Sequence, residues 1–158
     1  MAQSQEPLNL EERLREDLKV ASRARDQIRM DTIRLALGAI HNEEVARTDS
    51  KHPHARQPLT EEDRVAILDK QVKQRDEAAQ IYRAAGRDDL AGKEIREAEI
   101  LRAYLPSQMT DDEIRALVMQ LASQHGSEFR TIMPQAAKLT KGRADGKRVQ
   151  QIVREVTG

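Results

Sequence analysis

The chain contains no cysteine among its 158 residues. This absence excludes disulfide bonds, thiolate zinc sites, iron–sulfur clusters and cysteine nucleophiles. Aromatic side chains are nearly as scarce, since Phe129, Tyr82 and Tyr104 are the only three. The hydrophobic core must therefore be built almost entirely from leucine, isoleucine, valine, alanine and methionine.

Net charge and long apolar runs are also absent. Lysine and arginine together number 27, and so do aspartate and glutamate. The protein therefore has no overall electrostatic field that would attract DNA or a membrane, and any contact with nucleic acid requires a local patch of basic residues. Nowhere do 18 apolar residues follow one another, and the N-terminal stretch MAQSQEPLNLEER has neither the basic region nor the apolar run of a signal peptide. These absences predict a cytoplasmic protein that binds neither DNA nor a membrane.

No catalytic or metal-binding constellation is visible. The chain lacks a Walker-type glycine loop, an H-E-x-x-H motif and a G-x-S-x-G motif. His41 with Glu44 and His52 with His54 each offer two donors, whereas a metal site needs three or more converging ligands. The sequence therefore predicts no metal and no cofactor, and it identifies no catalytic residue.

Helical periodicity is the dominant pattern that is present. Apolar residues recur every three or four positions from Leu10 to Ala21 and again from Met30 to Ile40, as in amphipathic helices that bury one face. Asp26 fits the N-cap of a second helix, although one continuous helix is the alternative. The following stretch, ARTDSKHPHARQP, carries two prolines and few apolar residues, and we expect it to be the least structured and a mobile part of the chain.

A helical hairpin is predicted next. The sequence TEED at Thr60 resembles a capping box and predicts a helix start. That helix should reach about Ala84, where Gly86 stops it and Asp88 or Asp89 caps the returning helix. Acidic residues on the returning helix alternate with basic ones, which is typical of a solvated, salt-bridged face.

Pro106 ends the hairpin, and a second group of helices follows. Thr110 with Glu113 forms a full capping box, and apolar stripes predict three short helices after it. No segment shows the alternation of a strand. We therefore predict an all-α fold with a domain of long helices over residues 8–105 and a small three-helix domain over 109–158.

The stretch KGRADGK, residues 141–147, lies in a tail rich in positive charge: Lys138 to Gly158 contains six basic and two acidic residues. Gly142 fits a left-handed position after a helix, and Asp145 fits the N-cap of the last helix. The basic residues are not needed for such a turn. Beside the free amides of a helix N-terminus they could hold an anion, most commonly phosphate, and a turn without a ligand is the alternative.

Three blocks carry a family resemblance: RDQIRMDTIRLALGAI (25–40), KQRDEAAQIYRAAGRDDLAGKEIREAEILRAYLPSQMTDDE (73–113) and KGRADGKRVQQIVREV (141–156). With them the sequence resembles the YqeY family, whose C-terminal part is similar to the tail domain of the GatB subunit of the glutamine-dependent amidotransferase that acts on mischarged tRNA. One departure lies in FRTIM, where Arg130 replaces the family's glycine and Pro134 follows. That replacement removes a close glycine contact and adds a positive charge.

The resemblance implies a two-part helical protein that binds tRNA through backbone phosphates. The residues implied in this contact are all basic: Lys138, Lys141, Arg143, Lys147, Arg148 and Arg130. Docking on an amidotransferase or an aminoacyl-tRNA synthetase is the alternative. A third reading is participation, within a complex, in carbon–nitrogen ligation with glutamine as the amido-nitrogen donor, although that chemistry belongs to domains of the larger enzyme that are absent here.

Overall fold

The computed structural model describes residues 6–158, so residues 1–5, the start of the N-terminal stretch considered above, lie outside the described part. Between residues 6 and 158 the protein forms helices and no strand, which confirms the all-α prediction. None of these helices is both long and apolar enough to cross a membrane. The helices are α1 (Leu10–Arg23), α2 (Gln27–Ala46), α3 (Glu61–Ala84), α4 (Asp88–Arg102), α5 (Asp111–His125), α6 (Phe129–Thr140) and α7 (Gly146–Thr157). The chain divides into two compact units at the Leu105–Pro106 bond.

Asp26 separates α1 from α2. Its carboxylate accepts the N–H of Arg29 at 3.1 Å, and Arg25 immediately before it has a φ of 55°, a left-handed conformation that turns the chain. The alternative of one continuous helix is therefore wrong. The two helices bury their predicted stripes, with Leu14 on α1 and Ile33 on α2 fully inaccessible to solvent.

The hairpin of α3 and α4 forms as predicted, except at the N-cap of α4. Thr60 and Asp63 exchange both hydrogen bonds of a capping box, and Gly86 reverses the chain with a φ of 72°. The N-cap position of α4, however, is occupied by Arg87. Asp88 and Asp89 lie inside the first turn, where their charges favour the positive end of the helix dipole, so the predicted aspartate cap is wrong.

Buried charges lie where α3 packs against α4. Arg75 interrupts the apolar stripe of α3, and its guanidinium pairs with Glu97 and, at 3.6 Å, with Glu94 on α4. Glu97 is only 8% exposed. The acidic face of α4 is therefore salt-bridged as predicted, but it is not solvated at Glu97, because Arg75 reaches it across the helix pair.

The proline-containing segment between α2 and α3 forms turns that surround Arg47. This side chain is buried; its guanidinium donates to the carbonyls of Gln57 and Pro58 and pairs with Glu43 and Asp63. The segment contains no helix, in line with its composition. Its organisation by one buried arginine is a feature that the sequence pattern did not indicate.

The second unit packs three short helices around an aliphatic core. Thr110 and Glu113 form the predicted capping box at the start of α5. Pro134 lies inside α6 without ending it; because proline has no N–H, the carbonyl of Arg130 loses its usual partner one turn later. The fully buried core side chains of this unit are Ile114, Val118, Ile132, Ala136, Val149, Ile152 and Val153.

Candidate nucleic-acid interface

The stretch KGRADGK forms the turn between α6 and α7. Gly142 has a φ of 78°, a conformation that costs glycine little and other residues more. The N–H groups of Arg143 and Ala144 donate to the carbonyl of Thr140 at 2.9 and 3.0 Å, which closes the end of α6. Asp145 is the N-cap of α7, and its carboxylate accepts the N–H of Lys147 at 3.3 Å.

A second loop is hydrogen-bonded to this turn. The N–H of Met109 donates to the carbonyl of Arg143 at 2.7 Å, and the side chain of Gln108 donates to the carbonyl of Gly142 at 3.4 Å. In the reverse direction, Nε of Arg143 donates to the carbonyl of Ser107 at 3.3 Å. The segment that leads into α5 therefore fixes the backbone of the basic turn.

The guanidinium of Arg148, in the first turn of α7, is hydrogen-bonded to two neighbouring side chains. Nε donates to Oδ1 of Asp111 at 2.8 Å, Nη2 donates to Oδ2 of the same carboxylate, and Nη1 donates to Oε1 of Gln151 at 3.0 Å. The hydrogen bond from Arg148 holds the pKa of Asp111 below its ordinary value, and the same bond raises the pKa of Arg148. Arg148 thus differs from the other predicted phosphate ligands.

Asp111 itself was not among the residues indicated by the sequence. Acidic residues in the first turn of a helix are common because they complement the dipole, so Asp111, Asp112 and Glu113 gave no signal beyond the cap of α5. The contact with Arg148 depends on how α5 and α7 pack, which no local pattern encodes.

Three lysines and one arginine remain exposed around the turn. Within residues 6–158, none of the four takes part in an ion pair. The first turn of α7 contains no acidic residue, although the carboxylate of the N-cap Asp145 occupies the N–H of Lys147. The remaining N–H groups and the positive end of the dipole add to the basic charge. The four residues, which we call the basic turn, are Lys138, Lys141, Arg143 and Lys147.

Arg130 is not brought to the basic turn. It lies in the first turn of α6, whereas Lys138 lies in the last, and eight residues of helix separate them by about 12 Å along the axis. Arg130 instead lines an open groove with Phe129 and Arg154, and the guanidinium of Arg154 stacks over the Phe129 ring at 5.7 Å. The structure therefore separates Arg130 from the other predicted ligands.

The histidines make contacts unrelated to metal binding. Nε2 of His52 lies 3.2 Å from Oε1 of Glu43, and Nδ1 of His52 accepts the N–H of His54. His41 lies 3.9 Å from Glu44 on an exposed face of α2. In the part of the chain that the structure describes, no three His, Cys, Asp or Glu side chains converge as a metal site would require.

Three proteins that are similar to this chain carry the same name. The sequence is 31% identical over 120 residues to a protein of Vanderwaltozyma polyspora named "Altered inheritance of mitochondria protein 41, mitochondrial"; the match covers 72% of this chain and 61% of the relative. A protein of the same name from Eremothecium gossypii is 33% identical, with 72% and 62% covered. The chain thus spans about three fifths of the length of these relatives.

The names of these relatives contradict the expected cytoplasmic location, because they describe mitochondrial proteins. The expectation depended on the lack of an export signal and of a membrane-spanning run, and neither absence excludes a location inside an organelle. The sequence model of one family, described as "Yqey-like protein", matches residues 11–156. The chain therefore belongs to the YqeY-like family.

Proposed function

We propose that this protein is an RNA-binding accessory protein that contacts the phosphates of tRNA with its basic turn, in association with tRNA-dependent amidation. The observation that carries the proposal is the exposure of Lys141, Arg143 and Lys147 beside an α7 N-terminus that has no acidic residue in its first turn. The resemblance of residues 110–158 to the GatB tail domain supports tRNA as the polyanion.

The proposed contact is made to phosphates and does not read bases. Sequence-specific recognition of RNA generally stacks splayed bases on aromatic or arginine planes. The aromatic side chain of the second unit, Phe129, is covered by Arg154 at the opposite end of α6 from the basic turn. Lysines act as point charges on phosphates, and contacts of this kind fix position without selecting sequence.

Charge reversal in the basic turn tests this function. We expect Lys141→Glu with Lys147→Glu to weaken binding of deproteinised total tRNA strongly. The plot of log affinity against log salt should lose about 1.4–1.8 in slope, since each phosphate contact contributes roughly 0.7–0.9. Affinity measured by fluorescence anisotropy over a salt series gives both quantities.

A matched control reverses the same number of charges elsewhere. Lys51 and Lys70 are exposed lysines of the first unit, and Lys51→Glu with Lys70→Glu gives the same net charge. We expect this variant to retain the wild-type slope. If the two double variants lose affinity equally, or if neither loses any, the basic turn is not the RNA-binding surface.

Protein docking is the second candidate function. The observation that favours it is Ile81, a large apolar residue near the end of α3 that is 68% exposed. An exposed apolar side chain at this place would let the α3–α4 hairpin bind an amidotransferase or a synthetase. Ile81→Lys should then abolish co-purification of a stoichiometric protein partner from the source cells. Loss of the partner with retained tRNA affinity would favour docking over RNA binding.

A further inference from the structure

A bidentate ion pair beside the basic turn joins two helix N-termini, with side-chain exposures of 39% for Arg148 and 49% for Asp111. Asp111 begins α5, and Arg148 lies in the first turn of α7. The carboxylate receives two hydrogen bonds from one guanidinium, and the third guanidinium nitrogen is used by Gln151. Three of the five guanidinium N–H groups of Arg148 therefore have a protein acceptor, in contrast to the exposed lysines next to it.

A phosphate that approaches the Nε–Nη2 edge of Arg148, the edge that forms the bidentate pair, must compete with the Asp111 carboxylate for the same two donors. Carboxylates and phosphates accept the arginine fork in the same bidentate geometry, so an exchange forms no more bonds than it breaks. The exchange would also leave Asp111 charged and unpaired next to the incoming phosphate, which like-charge repulsion opposes. Both effects favour the intramolecular pair.

We propose that Asp111 withholds Arg148 from RNA, so that Asp111 sets the number of phosphates the basic turn engages. Arg148 is then a positioning residue, which neutralises Asp111 and ties α7 to α5. The contacts to phosphate are left to Lys141, Arg143 and Lys147. This inference rests on the proposed RNA-binding function and specifies how the same surface is regulated.

Asp112 provides a matched control for Asp111. The two carboxylates are consecutive, and both lie in the first turn of α5. The side chain of Asp112 is 98% exposed and lies 3.9 Å from Arg115, whereas Asp111 holds Arg148. Asp111→Asn and Asp112→Asn remove the same charge from the same helical turn, but only the first releases the arginine.

The salt dependence of tRNA binding distinguishes a released arginine from a general charge effect. With deproteinised total tRNA as the probe, we expect Asp111→Asn to increase the salt slope by about 0.7–0.9 and the affinity at about 0.1 M salt by roughly five- to tenfold, the effect of one added phosphate contact. Asp112→Asn should leave the slope unchanged. Arg148→Gln should weaken binding by exposing the charge of Asp111 without lowering the slope.

The opposite pattern would overturn the inference. If Arg148→Gln lowers the slope by about one contact and Asp111→Asn leaves it unchanged, Arg148 binds phosphate in the wild-type protein. That result would leave RNA binding by the basic turn intact, provided that reversal of Lys141 and Lys147 still weakens it. If neither the wild type nor Asp111→Asn binds tRNA, the RNA-binding function and this inference both fail. Circular dichroism confirms that each variant is folded.

Discussion

The two units of this protein use charge in different ways. In the first unit, acidic and basic side chains pair between elements and lie partly inside the fold, as Arg75 does with Glu97 and Arg47 with Asp63. In the second unit, the ion pairs between helices, such as Arg148 with Asp111, are exposed, and basic residues gather on the turn between α6 and α7. Among residues 6–158 the buried charged side chains, Arg47 and Glu97, both belong to the first unit.

This difference separates structural charges from charges available to a ligand. A buried guanidinium that has carboxylate partners holds helices in register, and removing one partner leaves an uncompensated charge. An exposed lysine without an ion pair contributes little to stability. The second unit has no evident structural use for Lys141 and Lys147, which is why a binding role is proposed for them.

The largest effect is expected at the α3–α4 contact. Arg75→Met should lower the free energy of unfolding of the first unit by about 3–5 kcal/mol, because Glu97 stays buried without its main partner. The double variant Arg75→Met with Glu97→Leu should recover most of this loss, since apolar replacement of a buried pair is often nearly neutral. Denaturant unfolding, with hydrogen exchange of α3 and α4 peptides, measures both.

An exposed ion pair of the same hairpin provides the control. Arg102 pairs with Asp76, and both side chains are at least 40% exposed. Arg102→Met should therefore cost less than about 1 kcal/mol. Equal losses for Arg75→Met and Arg102→Met would remove the distinction drawn between buried and exposed charges in the first unit.

A smaller effect is expected in the basic turn. Gly142→Ala places a side chain in the left-handed region and should destabilise the second unit by about 1–2 kcal/mol. Gly146, the first residue of α7, has open space around its Cα, and Gly146→Ala should be neutral or slightly stabilising. Thermal unfolding of the two variants tests whether backbone conformation, rather than charge, is what the turn contributes to stability.

The smallest effect at neutral pH concerns Tyr104 of the first unit. Its buried hydroxyl donates to the carboxylate of Asp17, and Tyr104→Phe should cost about 0.5–1.5 kcal/mol near pH 7. Burial, reinforced by the hydrogen bond to Asp17 and its charge, raises the pKa of Tyr104. The unfolded chain releases this proton near pH 10, so stability falls as the pH rises above about 10 toward the folded-state pKa.

Unfolding measured at about pH 9 and pH 11 checks the sign of this effect. The Tyr104→Phe variant should lose less folding stability than the wild type between these two pH values, because it lacks the hydroxyl that titrates. Tyr82→Phe, at the partly buried tyrosine of α3, is the control and should lose as much stability as the wild type. If both variants follow the wild type, Tyr104 does not couple folding to alkaline pH.

Local sequence was enough to predict the helices and most of their ends. The capping boxes at Thr60 and Thr110 and the aspartate at position 26 each act on a residue three positions away, so their signals are contained in short windows. The N-cap of α4 was predicted wrongly because the local signal there fits two positions. Asp88 and Asp89 favour a helix N-terminus either as caps or as first-turn charges, and the sequence does not distinguish these roles.

Side-chain partners across helices could not be predicted in this way. The partly buried pair of Arg75 and Glu97 joins residues 22 positions apart, and the pair of Arg148 and Asp111 joins residues 37 positions apart. From the sequence alone, Arg75 is a charge that interrupts an apolar stripe and Arg148 is a candidate phosphate ligand, and neither pattern identifies the carboxylate that pairs with it. Arg130 is the opposite case, a residue that was grouped with others and proves to be separate from them. The sequence placed it with the basic residues of the C-terminal tail, but it lies at the end of α6 that is far from the basic turn.

By itself the sequence determined the all-α class, the order of the helices and the turn at Gly142 and Asp145, because helical periodicity, caps and left-handed glycine positions depend on neighbouring residues. Only the tertiary structure decided which charges are available. The packing of α7 against α5 occupies Arg148 with Asp111, and the length of α6 separates Arg130 from Lys138. Pairing and separation in space depend on how helices pack, and no short stretch of sequence encodes that packing.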